Sequence, residues 1–223
     1  MNTPNKITTV RLVVASIIVV IFSLSFIPNA STTFAKEIVL GPMHMGFNWI
    51  DLVCCILFIL GSVTDAVDGH IARSRNLVTN LGKFLDPLAD KYLVDAALLL
   101  LCVRLDWSGN HQVYPFLVVL FIVRDLAMDG LRMVAAGNGK ILAANIWGKV
   151  KTGIQMGLIP VLFLNGFPFS LIPNELVLET WFTDRYQYTY ILMNVFTGIA
   201  LFVSLLSLGI YLYKNKDVLK ESV

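Results

Sequence analysis

The chain has 223 residues, 57% of them apolar and 14% charged, with a net charge of +2 and a mean hydropathy of +0.73. A soluble domain normally carries about a quarter charged residues, so this composition argues against one and points to a membrane protein with no nucleic-acid partner. Three cysteines, two of them adjacent (Cys54 and Cys55), exclude a disulfide framework and have no metal-ligand spacing, which leaves them as small apolar residues.

Six apolar segments approach the roughly 20 residues a membrane crossing needs: 10–27, 46–65, 84–105, 113–131, 146–164 and 189–213. With the amino terminus inside, the cytoplasmic segments are 1–11, 66–91, 132–151 and 214–223. They hold thirteen of the seventeen Lys and Arg residues, against Lys36, Arg104 and Arg185 outside and Arg124 within a span. This bias places both termini in the cytoplasm. The expected fold class is all-α: a polytopic membrane protein with six transmembrane helices and a polar active-site cavity open to the cytoplasm. One membrane domain is expected over 1–223, with a short interfacial segment at 1–9.

Along the chain, the basic start, the apolar run at 12–27 and Thr33-Phe34-Ala35 also fit a cleaved signal peptide. The second span ends in Asp65 and Asp68, and the third begins with Asp86, Asp90 and Lys91. The fourth ends with Arg124, Asp125, Asp129 and Arg132, and the fifth begins with Lys149 and Lys151. All these ends fall on the cytoplasmic side, where a shared internal cavity satisfies them and lipid would not. Asp51 and Asp95 fit no part of this pattern. The loop 165–187, with Pro168, Pro173, Glu175, Glu179 and Asp184, reads as an external connection.

The chemistry concentrates between Asp65 and Lys91. Asp65 and Asp68 are three apart and Asp86 and Asp90 four apart, so on helices each pair shares a face, about 60° and 40° around the axis. Carboxylates beside apolar runs are costly and usually functional. Four of them together call for cations between them, and hard ions such as Mg2+ or Mn2+ take all-oxygen sites. The blander reading is a set of helix caps and solvated acids. A cation transporter would also explain the carboxylates, but not Gly69, Arg73 or the basic residues of the fourth and fifth spans.

Asp65-x-x-Asp68-Gly69-x-x-Ala72-Arg73, eight residues, Gly82, three residues, Asp86, three residues, Asp90 resembles the signature of the CDP-alcohol phosphotransferases, with eight specified positions across 26. Members of that family are integral membrane enzymes that join a CDP-linked group to an alcohol and release CMP. The resemblance is densest over 2–156. It implies a homodimer and two Mg2+ or Mn2+ ions per site, with Asp65 and Asp86 bridging both, Asp68 completing one and Asp90 the other. Asp90 is also the candidate general base, against a purely metal-binding role. The resemblance further assigns Asn5, Thr8, Gly69, Arg73, Thr79 and Gly82 to the CDP-diacylglycerol site. Asn5, Thr8 and Arg11 match a pattern near the start of the family's chains, which argues that this end is retained. Glycines admit backbone or ligand closely, and Arg73 offers a planar donor set for the diphosphate.

The second substrate follows from Arg124, Arg132, Lys149 and Lys151, a basic set suited to an anionic acceptor. The stretches 124–132 and 148–156 resemble the branch of the family that forms phosphatidylglycerophosphate, implying glycerol 3-phosphate as the acceptor. Asp125 stands where that branch usually has Glu, and Asp129 replaces a small or hydroxyl residue, adding negative charge near the expected phosphate. Inositol phosphate, serine or phosphatidylglycerol are the alternatives within the family.

Overall fold

The computed structural model describes residues 3–24, 37–40, 43–74, 80–104, 111–137, 146–167 and 185–216, with side chains outside 3–7, 37, 39–40, 43–46, 65–87 and 185–188. Most of each of the six apolar segments is carried by one helix: α1 Thr3–Leu24, α2 Trp49–Ser74, α3 Asn80–Val103, α4 Pro115–Gly137, α5 Ile146–Phe163 and α6 Arg185–Lys214. The helices overrun the apolar runs at the motif end. α2 continues past Asp68 to Ser74 and α3 starts at Asn80, so all four motif aspartates lie on helical backbone. α1 is continuous from Thr3, so the expected interfacial segment is joined helically to the first apolar run. Most of the loop 165–187 lies outside the described residues.

The all-α expectation holds with one difference, an antiparallel hairpin of β1 Glu37–Leu40 and β2 Met43–Asn48 ahead of α2. The second apolar run therefore starts as a strand at 46–48 and turns helical only at Trp49. Asn48 is the reason. Its Oδ1 accepts the Asp51 amide at 2.9 Å, and Asp51 Oδ2 accepts the Asn48 amide at 2.9 Å. This reciprocal cap needs an extended residue at Asn48, so the helix cannot begin earlier. Arg104, at the end of α3, donates to both Asp51 oxygens at 2.5 and 2.7 Å. Asp51, which had no place in the sequence reading, thus joins the start of α2 to the end of α3.

At the same end α5 closes in a Schellman motif: the Gly166 amide donates to Val161 O at 2.8 Å and the Asn165 amide to Leu162 O at 3.0 Å. Asn165 and Gly166 have φ of 51° and 80°. A β-carbon at Gly166 would stand 2.3 Å from Thr189 Cγ2, so glycine lets the end of α5 approach α6.

All six helices contribute to one apolar core, among them Phe22, Phe58, Leu98, Phe121, Phe163 and Leu201. α1 packs chiefly on α2 and α3, α4 on α3 and α6, and α5 on α2, α3 and α6. Cys54 and Cys55 are free and buried in this core, as small apolar residues would be. Outside, large apolar side chains are exposed on every helix, including Ile17, Ile56, Leu99, Val123, Ile154 and Phe202. Inside, Arg11, Asp51, Arg124, Asp125 and Lys151 are buried. Charge within and hydrocarbon without is the reverse of a water-soluble surface. By length and composition alone, Thr189–Lys214 is the one stretch among the described residues long and apolar enough to cross a bilayer. Thr8–Leu24 and Trp49–Thr64 are shorter apolar stretches.

Candidate active site

The polar residues of the sequence converge where α3, α4, α5 and α6 meet. A cavity of about 550 Å³ opens there, a size suited to a small-molecule substrate. From α3 come Asp90, Lys91 and Val94; from α4, Arg124, Asp125, Met128, Asp129 and Arg132. α5 supplies Lys149, Lys151, Thr152 and Gln155, with Ser207 from α6. Asp90 and the whole expected basic set, Arg124, Arg132, Lys149 and Lys151, therefore line one space. Along α4 and α5 the cations change character. Arg132 and Lys149 are exposed, whereas Arg124 and Lys151 are each 6% exposed.

Asp125 organises the buried pair. Lys151 Nζ donates to its two oxygens at 2.9 and 2.6 Å, and Arg124 Nη1 donates to Oδ1 at 2.8 Å. Arg124 Nε is spent on the Ser204 carbonyl of α6 at 3.0 Å, while Nη2 is buried without a partner among the described residues. One carboxylate between two cations lets both enter a low-dielectric interior, where either alone would be strongly destabilising. Asp129 likewise faces a cation, forming an ion pair with Lys91, and Lys91 Nζ also reaches Asp125 O at 3.5 Å. Both acidic departures thus stand beside cations of the cavity wall.

Asp90 is 39% exposed at this cavity, and Arg11 Nη1 donates to its Oδ1 at 2.5 Å. Arg11 is 1% exposed, buried where α1 meets α3. Thr8, one turn earlier on α1, is fully buried. The contact brings the start of the chain, expected at the nucleotide site, against the last carboxylate of the motif. Asn5, Asp65, Asp68, Gly69, Arg73, Gly82 and Asp86 lie on described helices, but their side chains are outside the description, as is all of Thr79. Among the described residues no three His, Cys, Asp or Glu side chains form a metal cluster. The donor chemistry still fits divalent ions. The four aspartates form two one-turn pairs on α2 and α3, neighbours that both pack on α1, and Asp90 presents its carboxylate to the cavity.

Asp95 is not part of the cavity lining; its Oδ1 is buried without a hydrogen bond among the described residues. Sequence reading missed Gln155 and Ser207 as lining residues. Gln155 lies one turn past Lys151 within the stretch 148–156. On α6, Ser204, Ser207 and Tyr211 recur at helical spacing and are all buried, a polar stripe hidden in a run that reads as uniformly apolar.

Comparison with known proteins agrees with the motif. A bacterial enzyme named CDP-diacylglycerol–glycerol-3-phosphate 3-phosphatidyltransferase from Bacillus subtilis (strain 168) is 37% identical over 225 residues, covering 99% of this chain and 98% of its own. A protein of the same name from Mycoplasma pneumoniae is 30% identical over 99% of this chain and 90% of its own. A third, from Rickettsia felis, is 32% identical over 80% and 83%. The model of the family described as CDP-alcohol phosphatidyltransferase matches residues 1–206. With its signature on two neighbouring helices and this match along nearly its whole length, the chain belongs to the CDP-alcohol phosphatidyltransferase family.

Proposed function

We propose that this protein transfers the phosphatidyl group of CDP-diacylglycerol to glycerol 3-phosphate, giving phosphatidylglycerophosphate and CMP. The observation that carries the reading is the single cavity in which Asp90, the last carboxylate of the signature, meets Arg124, Arg132, Lys149 and Lys151. A cationic wall of this kind is suited to a phosphorylated alcohol and would be wasted on a neutral one. The names of the relatives from Bacillus and Mycoplasma support the same acceptor.

In this reading Asp65, Asp68, Asp86 and Asp90 hold Mg2+ or Mn2+, which when bound neutralises the pyrophosphate and makes the acceptor hydroxyl more acidic. Asn5, Thr8, Gly69, Arg73, Thr79 and Gly82 seat the CDP group, with Arg73 donating to the diphosphate. Arg132 and Lys149 meet the acceptor phosphate from the exposed side of the cavity, and Arg124 and Lys151 from the buried side. The acceptor's 1-hydroxyl oxygen attacks the β-phosphorus, its proton passes to Asp90, and the bond to the α-phosphate oxygen breaks to release CMP. Arg11, bonded to Asp90 Oδ1, fixes the direction of that carboxylate. Holding both reactants in one cavity supplies the approach that free solution lacks.

The membrane placement is part of the proposal. The apolar outer faces of the helices would lie in lipid as one multi-pass domain of a bacterial inner membrane. Both termini and the cavity would be cytoplasmic, and the protein a homodimer. The lipid tails of the donor would then remain in the bilayer while its head enters the cavity. An acceptor screen with purified protein, CDP-diacylglycerol and Mg2+, following CMP release, tests the reaction. Release dependent on glycerol 3-phosphate is expected; equal turnover with glycerol would rule the reading out, and preference for inositol phosphate would change the acceptor.

A further inference from the structure

Three residues both line the cavity and bury a polar side-chain atom that has no hydrogen-bond partner among the described residues: Arg124 Nη2, Gln155 Nε2 and Ser207 Oγ. They come from three helices, α4, α5 and α6, and are 6%, 2% and 1% exposed. A buried donor left unpaired is destabilising, so natural proteins keep few of them, and several around one cavity point to a ligand that satisfies them. Arg124 is already part of the cationic wall. The other two carry no charge. A neutral amide N–H and a hydroxyl could donate to a phosphate, but four cations of the same wall already serve that group; the uncharged pair suits a neutral hydroxyl, which accepts from the first and exchanges a hydrogen bond with the second.

We propose that Gln155 and Ser207 bind the non-reacting 2-hydroxyl of the acceptor and so select glycerol 3-phosphate over phosphorylated alcohols that lack it. The inference rests on the acceptor reading above. Its physical basis is asymmetric discrimination. An acceptor carrying the hydroxyl fills both positions, whereas one without it enters the same space and leaves two buried polar groups unpaired, which sites of this kind reject strongly.

The test uses the full-length protein in detergent or lipid with Mg2+, CDP-diacylglycerol and two acceptors, glycerol 3-phosphate and 3-hydroxypropyl phosphate, the analogue without the 2-hydroxyl. The wild-type protein is expected to favour glycerol 3-phosphate in kcat/KM by about a hundred-fold or more. Gln155→Met and Ser207→Ala should each reduce that ratio about ten-fold. Both acceptors are measured on one preparation, so a loss of folded protein cancels from the ratio, and Ser207→Ala removes a single oxygen should Gln155→Met fail to fold. Variants that lose rate equally toward both acceptors overturn the proposal, since that is the behaviour of residues binding the phosphate or merely packing. A wild-type protein that ignores the 2-hydroxyl overturns it as well, while leaving the glycerol 3-phosphate reading intact. No CMP release with glycerol 3-phosphate at all overturns both.

Discussion

At the scale of single residues, the site is governed by what each charge is paired with. Arg124 divides its guanidinium among three directions: Nε to the Ser204 carbonyl, Nη1 to Asp125, and Nη2 with no partner among the described residues. In the proposed site the planar fork serves two fixed, separated acceptors and keeps a third donor for the acceptor phosphate, a spread that a single ammonium nitrogen does not reproduce. Arg124→Lys keeps the charge and loses the geometry. It should raise the glycerol 3-phosphate KM about ten-fold, equivalent to one charge-assisted hydrogen bond, and leave the CDP-diacylglycerol KM nearly unchanged. Initial rates with each substrate varied in turn would check this, and a shift confined to the donor would move Arg124 out of the acceptor site. The residue types of the basic set were legible in the sequence, since four cations crowd two helix ends. Their pairing was not. In the sequence Asp125 was only a replacement for the usual Glu, yet it is the counterion that lets Arg124 and Lys151 be buried.

Among the elements, the two ends of the bundle carry different work. Near Asp51 the hydrogen bonds are structural: the Asn48–Asp51 cap starts α2 and Arg104 ties it to α3. Asp90 and the cavity lie fourteen residues back along α3 from Arg104, about 20 Å at the helical rise. Asn48→Ala should therefore cost about 1 kcal/mol, the usual worth of a cap. Asp51→Ala should cost more, about 3 kcal/mol, because it also strands Arg104. Turnover per folded molecule should survive both. Thermal unfolding in detergent alongside CMP release measures the two quantities, and Asp51→Ala with normal stability but lost turnover would contradict a structural role. The helices themselves were legible because each is one long apolar run. The hairpin was not, since Gly46-Phe47-Asn48 continues that run and its strand character depends on pairing with Glu37 and on the Asn48 cap.

For the molecule as a whole, the proposed function requires two carboxylate pairs, a nucleotide site and a cationic wall to meet in one place inside an apolar shell. Removal of divalent cations should abolish CMP release, and Mg2+ or Mn2+ should restore it; Asp65→Asn and Asp86→Asn should stay inactive with either ion while remaining membrane-inserted. Full turnover in excess chelator would end the metal reading. The order of the chain was enough, by itself, to determine the helical class and the family, and to single out the residues proposed to carry the chemistry. Apolar runs and one-turn spacings are local properties, and the eight-position signature lies within 26 residues. Tertiary structure decided which charges are spent on each other. Asp125 meets Lys151 from 26 positions away, Asp51 meets Arg104 from 53, and Asp90 meets Arg11 from 79. The same packing turns Ser204, Ser207 and Tyr211 of α6 inward while neighbouring Phe202, Leu205 and Leu206 stay outside. Such pairings arise from how helices pack, and spacing within any one of them carries no information about the partner across the interface.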